Sequence, residues 1–269
     1  MLRDPAPRPA RRRPPQRSLR QEYEEFILQR IEDFKDQLSR DQLLGIADEA
    51  VRELEVDPAE QLVLTEVVML EHVDRAIMRR LNLPPFRRWR ARHVRLRHAQ
   101  REPTHWGLSG SSPLTAFGPW EEVDGIALVV GARAIPASLY FAAYEWTVVF
   151  MEREGHAVEA AEARAAAEAL AANYEGCVVV PGSGWFPDLQ AALVVVDPVC
   201  LIGLELDAVD AFFTHLEAST VPHGVHCILP VDGDDEIVLL ETENFRARYA
   251  GWKQDSMPHR AEWLVAEKP

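Results

Sequence analysis

The chain has 269 residues, 47% of them hydrophobic and 27% charged, which is enough for one large core or two modest ones and unlike a fibrous or wholly disordered protein. No apolar run reaches the roughly 18 residues of a membrane span, and the arginine-rich start has no apolar segment behind it to make a secretory signal, so a cytoplasmic protein is expected. The net charge of -14 is unevenly placed: residues 1–105 carry 21 of the 29 Lys and Arg but 18 of the 43 Asp and Glu, leaving about +3 there and about -17 in the remainder.

Residues 1–18 hold five prolines and the run Arg11, Arg12, Arg13, and read as a basic tail that either docks on something anionic or serves solubility. Residues 19–101 form a helical region. Tyr23, Phe26, Ile27, Ile31, Phe34 and Leu38 recur at three and four, giving an amphipathic helix, and a second one starts at Ser39. Asp57-Pro58 with Glu60 is a helix start, and the third helix runs through Leu62, Leu64, Val67, Val68, Leu70, Val73 and Ile77 to about Leu81, before Pro84 and Pro85.

Residues 86–101 are a helical basic segment with Arg87, Arg88, Arg90, Arg92, Arg95, Arg97 and Arg101, no acidic residue, and Phe86, Trp89, Val94 and Leu96 between them. Arginines on one side of a helix grip phosphates, and a tryptophan beside them stacks on bases. Two other readings stay open: the arginines pair with the acidic part of the chain or with a protein partner, or they simply face solvent. Residues 102–120, rich in Gly, Ser and Pro, read as a linker.

Residues 121–269 alternate strands and helices, the pattern of a mostly parallel sheet covered on both faces. Strands are expected at Ile126–Val130, Thr147–Met151, Gly176–Val180, Ala192–Val196, Val225–Leu229, Glu236–Glu241 and Glu262–Ala266. Helices are expected at Pro136–Tyr144, Ala157–Ala172 and Leu206–Glu217. A ligand of such a sheet lies outside the carboxyl ends of its strands, which directs attention to Gly131, Glu152, the turn Pro181–Gly184 and Asp197. The cysteines Cys177, Cys200 and Cys227 are too few for a disulfide framework and read as reduced core thiols. The nine histidines have no metal-site spacing, Ser183 lacks the nucleophile turn, and no Gly-Lys-Ser/Thr phosphate loop is present.

Over residues 121–269 the sequence resembles the class I methyltransferases that use S-adenosylmethionine. The stretch Leu128–Ala142 (LVVGARAIPASLYFA) aligns without a gap on the family's Gly-x-Gly-x-Gly turn, with Gly131 on the first glycine, Arg133 on the second and Ile135 on the third. Glu152, 21 residues after Gly131, stands where the family places the acidic residue that holds the ribose hydroxyls. Asp197-Pro198 keeps the first half of the family's fourth motif without its second proline and aromatic residue, and Pro222-His223-Gly224 is similar to the turn before the fifth strand. The resemblance implies a doubly wound, mostly parallel seven-stranded α/β sheet, S-adenosylmethionine as cofactor, and a site made of Gly131, Arg133, Glu152 and Asp197. Methyl transfer and an inactive methyltransferase-like module that binds protein or nucleic acid both follow from it. Arg133 and Ile135 are expected to crowd the methionine end of the cofactor, or Arg133 to pair with its carboxylate.

Overall fold

The computed structural model describes residues 18–56, 66–117, 125–230, 242–254 and 263–269. The chain divides into two compact units, residues 1–96 and 97–269.

The first unit is helical. α1 (Leu19–Asp36) opens with a capping box, in which the Ser18 side chain accepts from the Gln21 backbone N–H and the Gln21 side chain accepts from the Ser18 N–H. α2 (Arg40–Val56) repeats the device with Ser39 and Gln42, and α3 (Glu66–Arg80) follows. The expected start of the third helix at Asp57-Pro58 lies outside the described residues. α4 (Phe86–Gln100) begins after Pro84 and Pro85, and the division between the units falls inside it. Tyr23, Ile27, Ile31, Ile46, Ala76, Ile77 and Trp89 form the core of this unit, and the Tyr23 hydroxyl donates to the Pro84 carbonyl at 3.0 Å.

The second unit is a seven-stranded sheet in the order β3-β2-β1-β4-β5-β7-β6. Its strands are β1 (Ile126–Val130), β2 (Thr147–Glu152), β3 (Tyr174–Val178), β4 (Ala191–Val196), β5 (Thr220–Ile228), β6 (Lys253–Gln254) and β7 (Leu264–Glu267). The first five are parallel, and β7 runs antiparallel to both β5 and β6. Alternate residues of β1, β2 and β4 face two cores. Ala127, Val129, Val148, Phe150, Leu193 and Val195 pack under α5 (Ile135–Ala143) and α6 (Gly155–Ala167). Leu128, Val130, Val149, Met151, Val194 and Val196 pack under α7 (Leu206–Ala218) and α8 (Thr242–Arg248). Burial on both faces is the physical reason these strands are uninterrupted apolar runs. The order reverses between β1 and β4, which places the switch point, and with it the expected ligand crevice, over those two strand ends.

Several expected boundaries are corrected. β3 starts at Tyr174 rather than Gly176, because the Tyr174 ring packs on Phe150 at 6.4 Å and its hydroxyl meets Ser138 Oγ at 2.8 Å. Gly176 lies inside the strand, where a Cβ would stand 2.5 Å from Val158 Cγ1; its N–H donates to Glu162 Oε1 at 2.9 Å, so α6 and β3 approach closely there. β5 starts at Thr220 rather than Val225, and Pro222–Gly224 is an irregularity within it: the register against β4 jumps between Thr220 and Val225, and His223 takes a positive φ of 61°. The α6 helix ends at Ala167, not Ala172, and the last strand is shifted to Leu264–Glu267. The expected strand Glu236–Glu241 lies outside the described residues, and Lys253–Gln254 supplies a short strand that was not expected.

The stretch expected as a linker contributes core instead. Two 3-10 turns, Pro103–Trp106 and Pro113–Ala116, bring Trp106, Leu114 and Phe117 into the cluster under α5, with Trp106 Nε1–H donating to the Gln100 carbonyl at 2.7 Å. Among the described residues none of the three cysteines is in a disulfide; Cys200 and Cys227 are buried and Cys177 is half-buried. No helix among the described residues is long and apolar enough to cross a membrane.

Candidate functional site

β1 and β2 are paired from Ile126↔Thr147 to Val130↔Met151, so the residues that follow, Gly131 and Glu152, stand side by side at adjacent strand ends. Asp197 follows β4 on the other side of β1. The switch point therefore gathers Gly131, Arg133, Glu152 and Asp197, the four residues that the resemblance singles out. All four sit at the carboxyl edge, where the chain leaves a buried strand and turns.

Gly131 has φ 95° and ψ 146°, a conformation open essentially to glycine alone. Its open side faces protein: a Cβ there would lie 2.6 Å from Asp197 Cβ and 3.2 Å from Asp197 Cγ. The close approach that glycine permits at this turn is thus taken by Asp197. Two backbone bonds lock the turn, from Gly131 N–H to the Met151 carbonyl at 3.0 Å and from Asp197 N–H to the Val130 carbonyl at 2.8 Å.

Asp197 is 2% exposed and anchors the turn electrostatically. Oδ1 accepts from the Val199 N–H at 3.1 Å, capping the 3-10 turn Pro198–Leu201, and Oδ2 accepts from the Arg133 N–H at 3.1 Å. The Arg133 guanidinium lies 3.5 Å from Oδ1 and donates through Nη2 to the Pro230 carbonyl at 3.0 Å. Arg133 so ties together the ends of β1, β4 and β5. Burial pushes the Asp197 carboxyl above the usual carboxylate range; the Val199 N–H, the Arg133 guanidinium and the Arg133 N–H pull it back, and the Glu152 charge pushes it further up.

Glu152 is 6% exposed, and its Oε1 accepts from the N–H groups of Arg153 at 2.6 Å and Glu154 at 3.4 Å. It caps its own loop. Arg153, which sequence reasoning passed over, reaches across to the Ile202 carbonyl at 3.2 Å. The signal for it was only its place after Glu152. Burial and the charges of Asp197 and Glu152 push the Cys200 thiol upward, which leaves it protonated and inert. A cavity of about 10 Å³, room for roughly one water, lies between Val130, Glu152, Val179, Pro181 and Cys200.

Ile135 does not enter this crevice. It begins α5 and packs against the core under that helix, so of the two residues replacing glycines only Arg133 projects over the strand ends. The turn Pro181–Gly184 packs against the start of α7, where a Cβ on Gly182 (φ 83°) would stand 2.6 Å from Ala208 Cβ.

The basic segment lies on α4. Phe86, Trp89, His93 and Leu96 share one arc of the helix. Trp89 is 8% exposed, stacked on His93 at 4.5 Å and tilted against Tyr23 at 5.4 Å. Arg87, Arg88, Arg90, Arg92, Arg95 and Arg97 are exposed. Arg97 lies within 4.0 Å of Glu145, and Arg101 within 3.9 Å of the same carboxylate.

No known family model matches the chain, and no curated protein does. Solved structures of similar shape include TehB from Haemophilus influenzae, at 13% identity and a TM-score of 0.45, with 54% of this chain and 58% of TehB covered. They also include the glycopeptide N-methyltransferase MtfA complexed with sinefungin, at 13% identity and a TM-score of 0.47, covering 60% of this chain and 87% of MtfA. MccD protein matches at 10% identity and a TM-score of 0.40, with 54% and 91% covered. By its own strand order, with five parallel strands, the inserted antiparallel β7, and Gly131 and Glu152 at neighbouring strand ends, the second unit has a methyltransferase-like, doubly wound α/β fold.

Proposed function

We propose that the second unit binds S-adenosylmethionine at the ends of β1, β2 and β4 and transfers its methyl group. The observation that carries this reading is Glu152, a buried carboxylate closing β2 directly beside the glycine turn that closes β1, at the switch point of a doubly wound sheet. Glu152 suits the ribose hydroxyls, because a carboxylate already fixed by two backbone N–H groups accepts further hydrogen bonds without being reoriented. The turn at Gly131 suits the methionine end once Arg133 gives up its bonds to Asp197 and Pro230; its guanidinium is then the natural partner of the amino-acid carboxylate. The cofactor supplies an electrophilic methyl group on sulfur, so the protein's part is to align an acceptor and exclude water, which requires few titratable residues.

A second reading rests on a specific observation. Asp197 fills the space over Gly131, and the cavity beside Glu152 holds about 10 Å³, against the roughly 300 Å³ of an ordinary ligand pocket. With Arg133 as a permanent clasp, the fold serves as an inactive module presenting its surface to a protein or nucleic acid.

Calorimetric titration with S-adenosylmethionine and its demethylated product separates the two. The methyltransferase reading expects measurable binding, weakened by about 1–3 kcal/mol in Glu152→Ala. Tighter binding by Arg133→Gly marks the arginine as an obstruction, and lost binding marks it as a ligand for the carboxylate. No heat at millimolar cofactor for the wild type and Arg133→Gly alike refutes methyl transfer and leaves the module.

A further inference from the structure

We infer that the exposed face of α4 binds the phosphate backbone of a double-stranded nucleic acid. Four other arginines of the first unit pair with carboxylates: Arg20 with Glu24, Arg75 with Glu71, Arg79 with Glu53 and Arg80 with Glu49. Arg87, Arg88, Arg90, Arg92 and Arg95 are exposed and have no carboxylate within ion-pair reach among the described residues. Five guanidinium groups so close together repel one another, and a folded protein relieves this with counterions or with a polyanion.

Their placement on the helix says which polyanion fits. At about 100° per residue, Arg88, Arg92 and Arg95 fall within about 60° of one another and span about 10 Å along the axis, while Arg87 and Arg90 lie on the other flank. Between the flanks is Ala91, with the exposed Val94 beside Arg87 and Arg90. Two charged flanks about Ala91 match the paired phosphate walls of a duplex groove better than a single extended strand. Trp89 argues the same way. It is turned into the core against Tyr23 and Phe86, so the face has no aromatic ring on which unpaired bases would stack. The contacts are therefore to phosphates and not to bases, and binding is insensitive to sequence.

The test is fluorescence anisotropy of the full chain with a labelled mixed-sequence DNA duplex at 50 and 200 mM salt. Five phosphate contacts give a log-log slope of about -4.5, or about 500-fold weaker binding across that range. The variant Arg88→Gln/Arg92→Gln/Arg95→Gln, with glutamine keeping helix propensity, should bind more weakly and fall only about 12-fold over the same range. Arg88→Lys/Arg92→Lys/Arg95→Lys should keep nearly the wild-type slope. The inference is overturned by no binding at 50 mM salt, by an unchanged slope in the glutamine variant, or by a lysine variant as weak as the glutamine one. It is equally overturned by preference for a single strand of the same length, or by polyglutamate displacing the labelled duplex at a lower charge concentration than unlabelled duplex does, which would identify an acidic protein as the partner.

Discussion

Replacing Gly131 by alanine should destabilise the second unit far more than the same change at a glycine that merely has a positive φ. At φ 95° and ψ 146° an alanine is strained by about 1–3 kcal/mol. The added Cβ would also stand 2.6 Å from Asp197 Cβ, and Asp197 cannot step back cheaply, being held by the Val199 and Arg133 N–H groups and the Arg133 guanidinium. Overpacking of that kind costs about 1–3 kcal/mol more, for a total of about 2–6 kcal/mol. Gly184 is the internal reference: its φ is 78°, but nothing lies within 4 Å of a Cβ there, so Gly184→Ala should cost only about 1 kcal/mol. Gly182→Ala meets Ala208 Cβ at 2.6 Å, and the double change with Ala208→Gly should return it nearly to the strain-only level. Urea unfolding followed by near-ultraviolet circular dichroism measures all four. At about 2–3 kcal/mol per molar of urea, Gly131→Ala should lower the midpoint by about 0.7–3 M. Equal costs at Gly131 and Gly184, within about 0.5 kcal/mol, would refute the view that this glycine is held by its contact with Asp197.

His226 is buried between Thr220 Oγ1 at 2.7 Å and the Tyr249 hydroxyl at 2.6 Å; since the Thr220 hydroxyl donates to the Leu216 carbonyl, Nε2 carries the imidazole proton and Nδ1 accepts from Tyr249. Burial drops its pKa from 6.5 to about 3, so its contribution is intact above pH 6.5 and is lost as pH falls from there toward 3: about 2 kcal/mol by pH 5, absent from His226→Gln when the two pH-stability curves are subtracted. Trp106→Ala should cost about 3–5 kcal/mol in thermal or urea unfolding although it lies in a Gly/Ser/Pro-rich stretch, because its ring is 3% exposed in the core under α5; a change below about 1 kcal/mol would return residues 102–117 to the status of a linker. Cofactor binding weakened by about 1–3 kcal/mol in Glu152→Ala, and the reduced salt slope of the α4 glutamine variant, are the two readouts that bear on function.

What could be read from the sequence follows from how local each signal was. β1, β2 and β4 are apolar on both faces, so their runs stand out, and Gly131 and Glu152 inherit their positions from those strand ends. The start of β3 at Tyr174 depends on contacts with Phe150 and Ser138 from other elements, and Gly176 inside it is the point where Val158 and Glu162 of α6 crowd the strand. Trp106, Leu114 and Phe117 were lost among turn residues, since one apolar side chain every few positions has neither helical nor strand period. The contact of Asp197 with Gly131 and the bond from Arg133 to Pro230 join residues far apart in the chain, and no local pattern announces them. That Ile135 points into the core rather than the crevice likewise depends on where α5 starts.

The Gly176 N–H to Glu162 carboxylate bond has a bearing on how the molecule avoids its own copies. β3 is a terminal strand of the sheet, and the free side of such a strand is a template on which another chain can add by backbone pairing. Here an outward amide is occupied by a side chain from the covering helix, and Glu175 beside it is exposed and charged. Glu162→Ala would leave that amide free and remove the side chain that covers it, so a change remote from the crevice is expected to raise edge-to-edge association at high concentration, as light scattering of the two proteins would read.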